Sequence, residues 1–322
     1  MSVATPAKTL AQRAGRPRLV IALVNNMPDG AFVSTERQFL ALLESTARVA
    51  VDVVRYSMPD PNRSAPVRSA ISERYEDMEE LYRRSFDGVI VTGNEPRCTD
   101  LRDEVVWDGL SAVCEWAQAT SSSLLLSCLA AHGGLLAMDG LARRRLPTKL
   151  SGVYKQESDP RHPLTAGLSK VLCPHSRLHE VPAEVLGASG YEVIMGSPEV
   201  GWTVAVRDEP CLKVLLQGHP EYSPTTLLAE YRRDVRRFLE GSAMTYPEVP
   251  VGYLRSEAME MLESFRHTAM ACKDPNLLGR FPFETCSNQI VADWRPVMVR
   301  LFENWLTELS ARQLLASAAQ AG

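Results

Sequence analysis

Short unbroken apolar runs, each ending in a turn and followed by a stretch with helical apolar spacing, recur through the first 140 residues of this chain. The first is Leu19-Val20-Ile21-Ala22-Leu23-Val24, which ends in the turn-rich Asn25-Asn26-Met27-Pro28-Asp29-Gly30. A continuous run of this length fits a strand buried on both faces of a parallel sheet. Helical spacing follows from an N-cap expected at Ser34 or Thr35 through Leu43, and Val49 to Tyr56 reads as a second strand. The pattern repeats with Phe86 to Gly93 as a third strand entering a glycine turn, and a helix over 105–119 with Trp107, Leu110, Val113, Trp116 and Ala117 on one stripe. Ser123 to Ser127 is a fourth strand, and a small-residue-rich helix runs from Leu129 to Met138. Alternating strand and helix predicts an α/β fold with a doubly wound, mostly parallel sheet. Ligands of such sheets sit outside the carboxyl ends of the strands. The loops beginning at Asn25, Thr92 and Ser127 should therefore converge on one cleft.

Residues 150–218 read as shorter strands and turns, including Glu192 to Met195 and Thr203 to Val206. Cys211 to Leu216 is a further strand, ending at Gln217-Gly218-His219. Helices are expected over 225–239, 256–271 and 294–310. Three segments result: an N-terminal arm over 1–18, expected to be disordered, an α/β domain over 19–241, and a helical extension over 242–322 packed on that same domain.

Composition narrows the function. With a formal net charge of −4 and 23% charged residues, the chain lacks the basic surplus of a nucleic-acid or anionic-membrane binder. No apolar run approaches the roughly 20 residues of a membrane span. The seven cysteines form no CxxC pair, which disfavours a disulfide scaffold or a zinc site and favours reduced thiols in cytosol. No metal and no bound cofactor are expected. Residues 1–18 carry four basic and no acidic residues but lack the apolar core of a secretory signal, so a cytoplasmic location is expected.

Two strand ends carry chemistry. Cys128 falls at a strand-to-helix junction, where a tight elbow exposes the side chain above the sheet. Backbone N–H groups opening the next helix can hold an oxyanion, and a helix N-terminus favours negative charge on the sulfur. A lone cysteine is more often a small buried hydrophobe. Gly218-His219-Pro220-Glu221-Tyr222 supplies what Cys128 alone lacks: a base titrating near neutrality and a carboxylate to orient it. A lone His-Pro-Glu is more often a surface turn, but both elements close strands of the same expected sheet. A Cys128–His219–Glu221 triad is therefore expected. His132, one helical turn beyond Cys128, is a competing base, with packing inside its own helix as the commoner fate.

These blocks resemble the homoserine O-acyltransferase family of the homoserine O-succinyltransferase type, which acylates homoserine for methionine synthesis. The resemblance spans roughly residues 18–240. It includes Asn25-Asn26-Met27-Pro28 with Thr35-Glu36-Arg37-Gln38-Phe39-Leu40, Phe86 to Gly93, and Lys149-Leu150-Ser151-Gly152-Val153-Tyr154. It continues through Pro174-His175-Ser176-Arg177, Gly218 to Tyr222 and Glu230-Tyr231-Arg232-Arg233-Asp234. It implies a class I glutamine-amidotransferase-like fold, a homodimer, and a two-step reaction. Cys128 takes the acyl group of an acyl-CoA co-substrate, His219 acts as base oriented by Glu221, and the L-homoserine hydroxyl attacks the thioester. Lys149, Ser176 and Arg233 fall on family positions that bind substrate, and arginine suits an amino-acid carboxylate. Arg97 falls at or near the position linked to acyl-donor choice, where a cation could pair with the free carboxylate of succinyl and so favours succinyl-CoA. An ordinary loop cation is the alternative.

Two departures leave alternatives open. Asn94-Glu95 replaces the family's Ala-Pro, and Cys128-Leu129-Ala130-Ala131-His132 differs from its Cys-Trp-Gly/Ala-x-Gln. O-acetyl transfer, or acylation of serine or a related amino-alcohol, would fit the same triad. A glutaminase-type hydrolase and a non-catalytic relative share the scaffold.

Overall fold

The structure is a computed structural model and describes residues 18–321. Apart from Arg18, which opens the first strand, the expected N-terminal arm lies outside the described residues. The strands are β1 (Arg18–Val24), β2 (Ala50–Tyr56), β3 (Gly88–Val91), β4 (Ser123–Ser127), β5 (Arg144–Lys155), β6 (Glu157–Ser158), β7 (Leu172–Glu180), β8 (Glu192–Ser197), β9 (Gly201–Arg207) and β10 (Leu212–Leu216). Eight form one sheet in the order β2-β1-β3-β4-β10-β9-β8-β6, while β5 and β7 pair as a separate antiparallel ribbon.

Adjacent pairs from β2 to β10 are parallel, and those from β10 through β9 and β8 to β6 are antiparallel. The doubly wound α/β sheet expected from the sequence is thus present, with an antiparallel edge. Every residue of β3, β4 and β10 is buried, which accounts for their largely apolar composition, Lys213 in β10 being the charged exception. Helices Trp107–Thr120 and Leu129–Asp139 pack on one face. Helices Asp29–Glu44 and Thr226–Leu239 cover the other, and there Trp294, Met298, Phe302, Trp305 and Leu309 join the same apolar core as Leu19, Ile21 and Val214. The helical extension therefore buries its apolar side against the sheet.

Two boundaries differ from expectation. The first helix begins at Asp29, directly after Pro28, rather than at Ser34. Proline's fixed φ suits a helix entrance, and Ser34 instead turns its hydroxyl back to the Ala31 carbonyl inside the helix. The last helix runs over Arg295–Ala321, well past 310, because the alanine-rich end carries high helix propensity.

Candidate active site

The register of two central strands assembles the site. β4 and β10 run parallel with Ser127 opposite Leu216, so the residues leaving both strands emerge side by side. Cys128 follows Ser127 at once, and its N–H donates to the Leu216 carbonyl at 2.7 Å. Its backbone has φ 51° and ψ −110°, a left-handed conformation that non-glycine residues rarely hold. This is the elbow expected from the sequence, with the Leu129–Asp139 helix starting immediately after it. The loop after β3 closes over it: a Cβ added at Gly93 would lie 3.3 Å from Cys128 Cβ, 3.3 Å from the Ser127 carbonyl oxygen and 3.5 Å from Leu129 N. Glycine thereby leaves room in front of the Leu129 N–H. The first loop joins too, since the Asn26 N–H donates to Thr92 Oγ1 at 2.8 Å. The three loops converge.

His219 sits three residues beyond β10, its N–H donating to the Pro174 carbonyl at 2.8 Å. Its ring Nδ1 is 2.9 Å from Glu221 Oε1, and both side chains are buried. Nε2 has no partner of ordinary hydrogen-bond geometry among the described residues. Burial pushes the imidazole pKa down, but the Cys128 sulfur and the Glu221 carboxylate together push it up further, and it ends well above 6.5. Tyr222 stacks on the ring at 4.2 Å between centroids and donates its hydroxyl to Glu230 at 2.8 Å. The extension reaches in here: Trp294 Nε1 donates to the Tyr222 carbonyl at 3.0 Å, and the Tyr253 hydroxyl donates to the Pro224 carbonyl.

His132 is no part of this pair. Its Nε2 lies 3.1 Å from Gln217 Oε1, and burial, outweighing that hydrogen bond, pushes its pKa down to about 3. It is a neutral, buried partner of Gln217, whose amide donates to the Trp202 carbonyl.

Lys149 and Arg233 meet on one carboxylate. Lys149 Nζ is 2.6 Å from Asp234 Oδ2, and Arg233 Nε donates to Asp234 Oδ1 at 3.1 Å. Arg237 lies 2.6 Å from Glu95 Oε1, two residues past Gly93. Ser176 is half-buried on β7, opposite Ser151 in the ribbon.

The family model described as homoserine O-succinyltransferase matches residues 2–313. A homoserine O-succinyltransferase of Methylorubrum extorquens is 40% identical over 93% of this chain and 90% of its own length. The chain belongs to the homoserine O-succinyltransferase family. A second such relative, from Rhodopseudomonas palustris, is 39% identical over 90% of this chain and 88% of its own. Among solved structures, a glutamine amidotransferase of Methylobacillus flagellatus aligns with TM-score 0.47 at 14% identity, covering 91% of this chain and 94% of that one.

In this member of the family the Arg97 side chain is half-exposed and 3.5 Å from Asp60. The Arg97 and Cys98 N–H groups both donate to Glu104 Oε1 at 2.7 Å. Arg143, just before β5, and Arg177 on β7 carry shielded N–H groups with no hydrogen-bond partner among the described residues. Of these, only Arg177 falls in a motif legible in sequence, Pro174 to Arg177. The roles of Tyr222, Glu230 and Trp294 around His219 carry no sequence signal, since each depends on a contact between distant segments.

Proposed function

We propose that this chain transfers a succinyl group from succinyl-CoA to the hydroxyl of L-homoserine through a thioester on Cys128. The observation that carries the reading is the register of β4 and β10, which sets Cys128 beside an imidazole whose Nδ1 is held by Glu221 and whose Nε2 has no other partner among the described residues. In the first half-reaction the Cys128 sulfur attacks the thioester carbonyl of the donor. The oxyanion forms against backbone N–H groups such as that of Leu129. Its collapse expels the coenzyme A thiolate, which takes the proton held on His219. In the second half, His219 removes the proton of the acceptor hydroxyl as that oxygen attacks the Cys128 thioester, and the sulfur leaves as thiolate.

Lys149, Ser176 and Arg233 are the proposed acceptor site. A zwitterionic amino acid offers a carboxylate to the two cations, and Asp234 holds that place in the free protein. The reaction is a biosynthetic acyl transfer in the cytoplasm. No helix among the described residues is long and apolar enough to cross a membrane. A homodimer, implied by the family resemblance, is checked by light scattering.

The test is intact-mass spectrometry of protein mixed with succinyl-CoA and no acceptor. An adduct of one succinyl group is expected, absent in Cys128→Ser, and discharged by L-homoserine. An adduct that persists in Cys128→Ser, or none in the parent protein, defeats the reading. Discharge by serine but not homoserine would reassign the acceptor, and labelling by acetyl-CoA alone would reassign the donor.

A further inference from the structure

A cleft of about 980 Å³ opens where β2 ends, apart from the elbow. It is at the upper end of the roughly 300–1,000 Å³ usual for ligand sites, and it lies at carboxyl strand ends, where such sheets bind ligands. Met58, Pro59, Ile71 and Tyr75 line it together with Arg63 and Arg68, from the turn after β2 through the helix Ala65–Arg74 and its cap. Two contacts tie this wall to the loops of the active site. Arg63 gives Nη1 to the Met27 carbonyl at 2.6 Å and lies 3.3 Å from Asp29, while Asp60 lies 3.5 Å from Arg97.

Strand register sets the distance from the cleft to Cys128. Tyr56, Val24, Val91 and Leu126 form one row across β2, β1, β3 and β4. Ser57, on the cleft wall, is one residue past that row, and Cys128 is two residues past it. Three strand spacings of about 4.8 Å separate them, roughly 14 Å in all. That span has a chemical match. Twelve bonds run from the sulfur of a coenzyme A thioester to its first phosphate oxygen, as many as in four extended residues, or roughly 14 Å.

The charges sort in the same direction. Arg68 is exposed, hydrogen-bonds the Arg63 carbonyl on the side of the first loop, and forms no ion pair among the described residues. Glu76 bridges Tyr56 on the edge of β2 that β1 does not occupy, so the acids around it stand at the far end. Three lining acids are already held: Asp60 by Arg97, Glu76 by Arg84 at 2.8 Å and Glu80 by Arg83 at 2.6 Å. Asp77, also on the lining, keeps a carboxylate without an ion pair among the described residues. It is an acceptor suited to ribose hydroxyls or an adenine amino group.

We infer that this cleft receives the adenosine-phosphate end of the acyl-CoA, phosphates toward Arg68 and nucleoside toward Asp77, while the pantetheine arm crosses the ends of β1 and β3 to Cys128. This rests on the acyl-transfer reading above and adds where the donor is held.

The experiment measures Cys128 acylation against donor concentration for succinyl-CoA and for S-succinyl-N-acetylcysteamine, which keeps the thioester and first amide but lacks the nucleotide. The parent protein should half-saturate with succinyl-CoA at a concentration at least about 10-fold lower than with the short donor. Ser72→Trp, at an exposed position on the cleft wall, fills the space, and Arg68→Glu reverses the unpaired charge. Each should raise the half-saturating succinyl-CoA concentration about 10-fold with the maximal rate within about twofold, and leave the short donor within about twofold. Adenosine 3′,5′-bisphosphate should compete with succinyl-CoA in the parent, and Ser72→Trp should abolish that competition. Equal losses with both donors in both variants, or unchanged half-saturation in both, would overturn the assignment. So would competition that survives Ser72→Trp. If the short donor labels Cys128 and half-saturates as readily as succinyl-CoA, the acyl-transfer reading stands and the cleft alone fails. If neither donor labels the parent, the reading itself fails and takes the cleft with it.

Discussion

The proposed nucleophile and the proposed base are neighbours held by opposite means. Cys128 is placed by backbone: a parallel register, one N–H to the Leu216 carbonyl and a left-handed φ. His219 is placed by side chains: Glu221 on its Nδ1, Tyr222 against its face, Glu230 on the Tyr222 hydroxyl, and Trp294, 72 residues away, on the Tyr222 carbonyl. A group fixed by backbone tolerates changes in most side chains and fails only where space at the elbow is lost. A group fixed by a chain of contacts can be loosened from a distance.

The largest effect expected on this contrast is from Glu221→Gln. It replaces a charged acceptor with a neutral amide that can also donate to Nδ1 and so hold the wrong tautomer, and kcat should fall about 10³-fold or more. It also removes one of the two charges that raise the imidazole pKa, so that pKa should move down, followed by NMR of the His219 ring. The sign for stability follows. A histidine raised on folding contributes fully below its ordinary 6.5, and the contribution fades as pH rises through the folded value. Glu221→Gln should shrink that window from its upper end. An unchanged His219 titration would break the account of the base side.

Gly93→Ala attacks the nucleophile side. The new methyl would sit against Cys128 Cβ and before the Leu129 N–H, and acylation should slow about 10²-fold. Thermal melts should move little, because no buried polar group loses a partner. Acylation at the parent rate would show that the space above the elbow is unused. The smallest effect is that of Trp294→Phe, which removes one buried hydrogen bond worth about 1 kcal/mol. If that bond steadies the base turn, kcat should drop about fivefold with KM for the donor within twofold. A change in KM alone would mean that the extension acts on binding and not on His219.

Local signals carried most of the parallel half of the molecule. β4 falls at Ser123–Ser127 as expected, because its apolar run is bounded by polar residues and buried on both faces. Cys128 and His219 were legible for the same reason, each lying just beyond such a run. The β5–β7 ribbon was not: its strands alternate irregularly, and a register shift between Arg145 and Leu150 erases the period-two pattern. Lys149 lies in that shifted stretch, so only the resemblance singled it out. Arg143 was illegible for a different reason. An orphaned N–H is a property of the assembled surroundings, and nothing in the run Arg143-Arg144-Arg145 tells the first from the next, which pairs with Glu180. Arg97 stands with Lys149: only the resemblance singled it out, and its guanidinium lies 3.5 Å from Asp60.

The elbow at Cys128 also bears on how this chain would drift. A φ of 51° costs a cysteine on the order of 1–3 kcal/mol that glycine would not incur. Freed from the demand for a sulfur at that point, the chain would gain stability by exchanging Cys128 for glycine, and the turn itself would not object. A cysteine held there at that cost is what the proposed thioester chemistry would demand against a firmer fold. In descendants that abandon acyl transfer, this position should be among the first to relax.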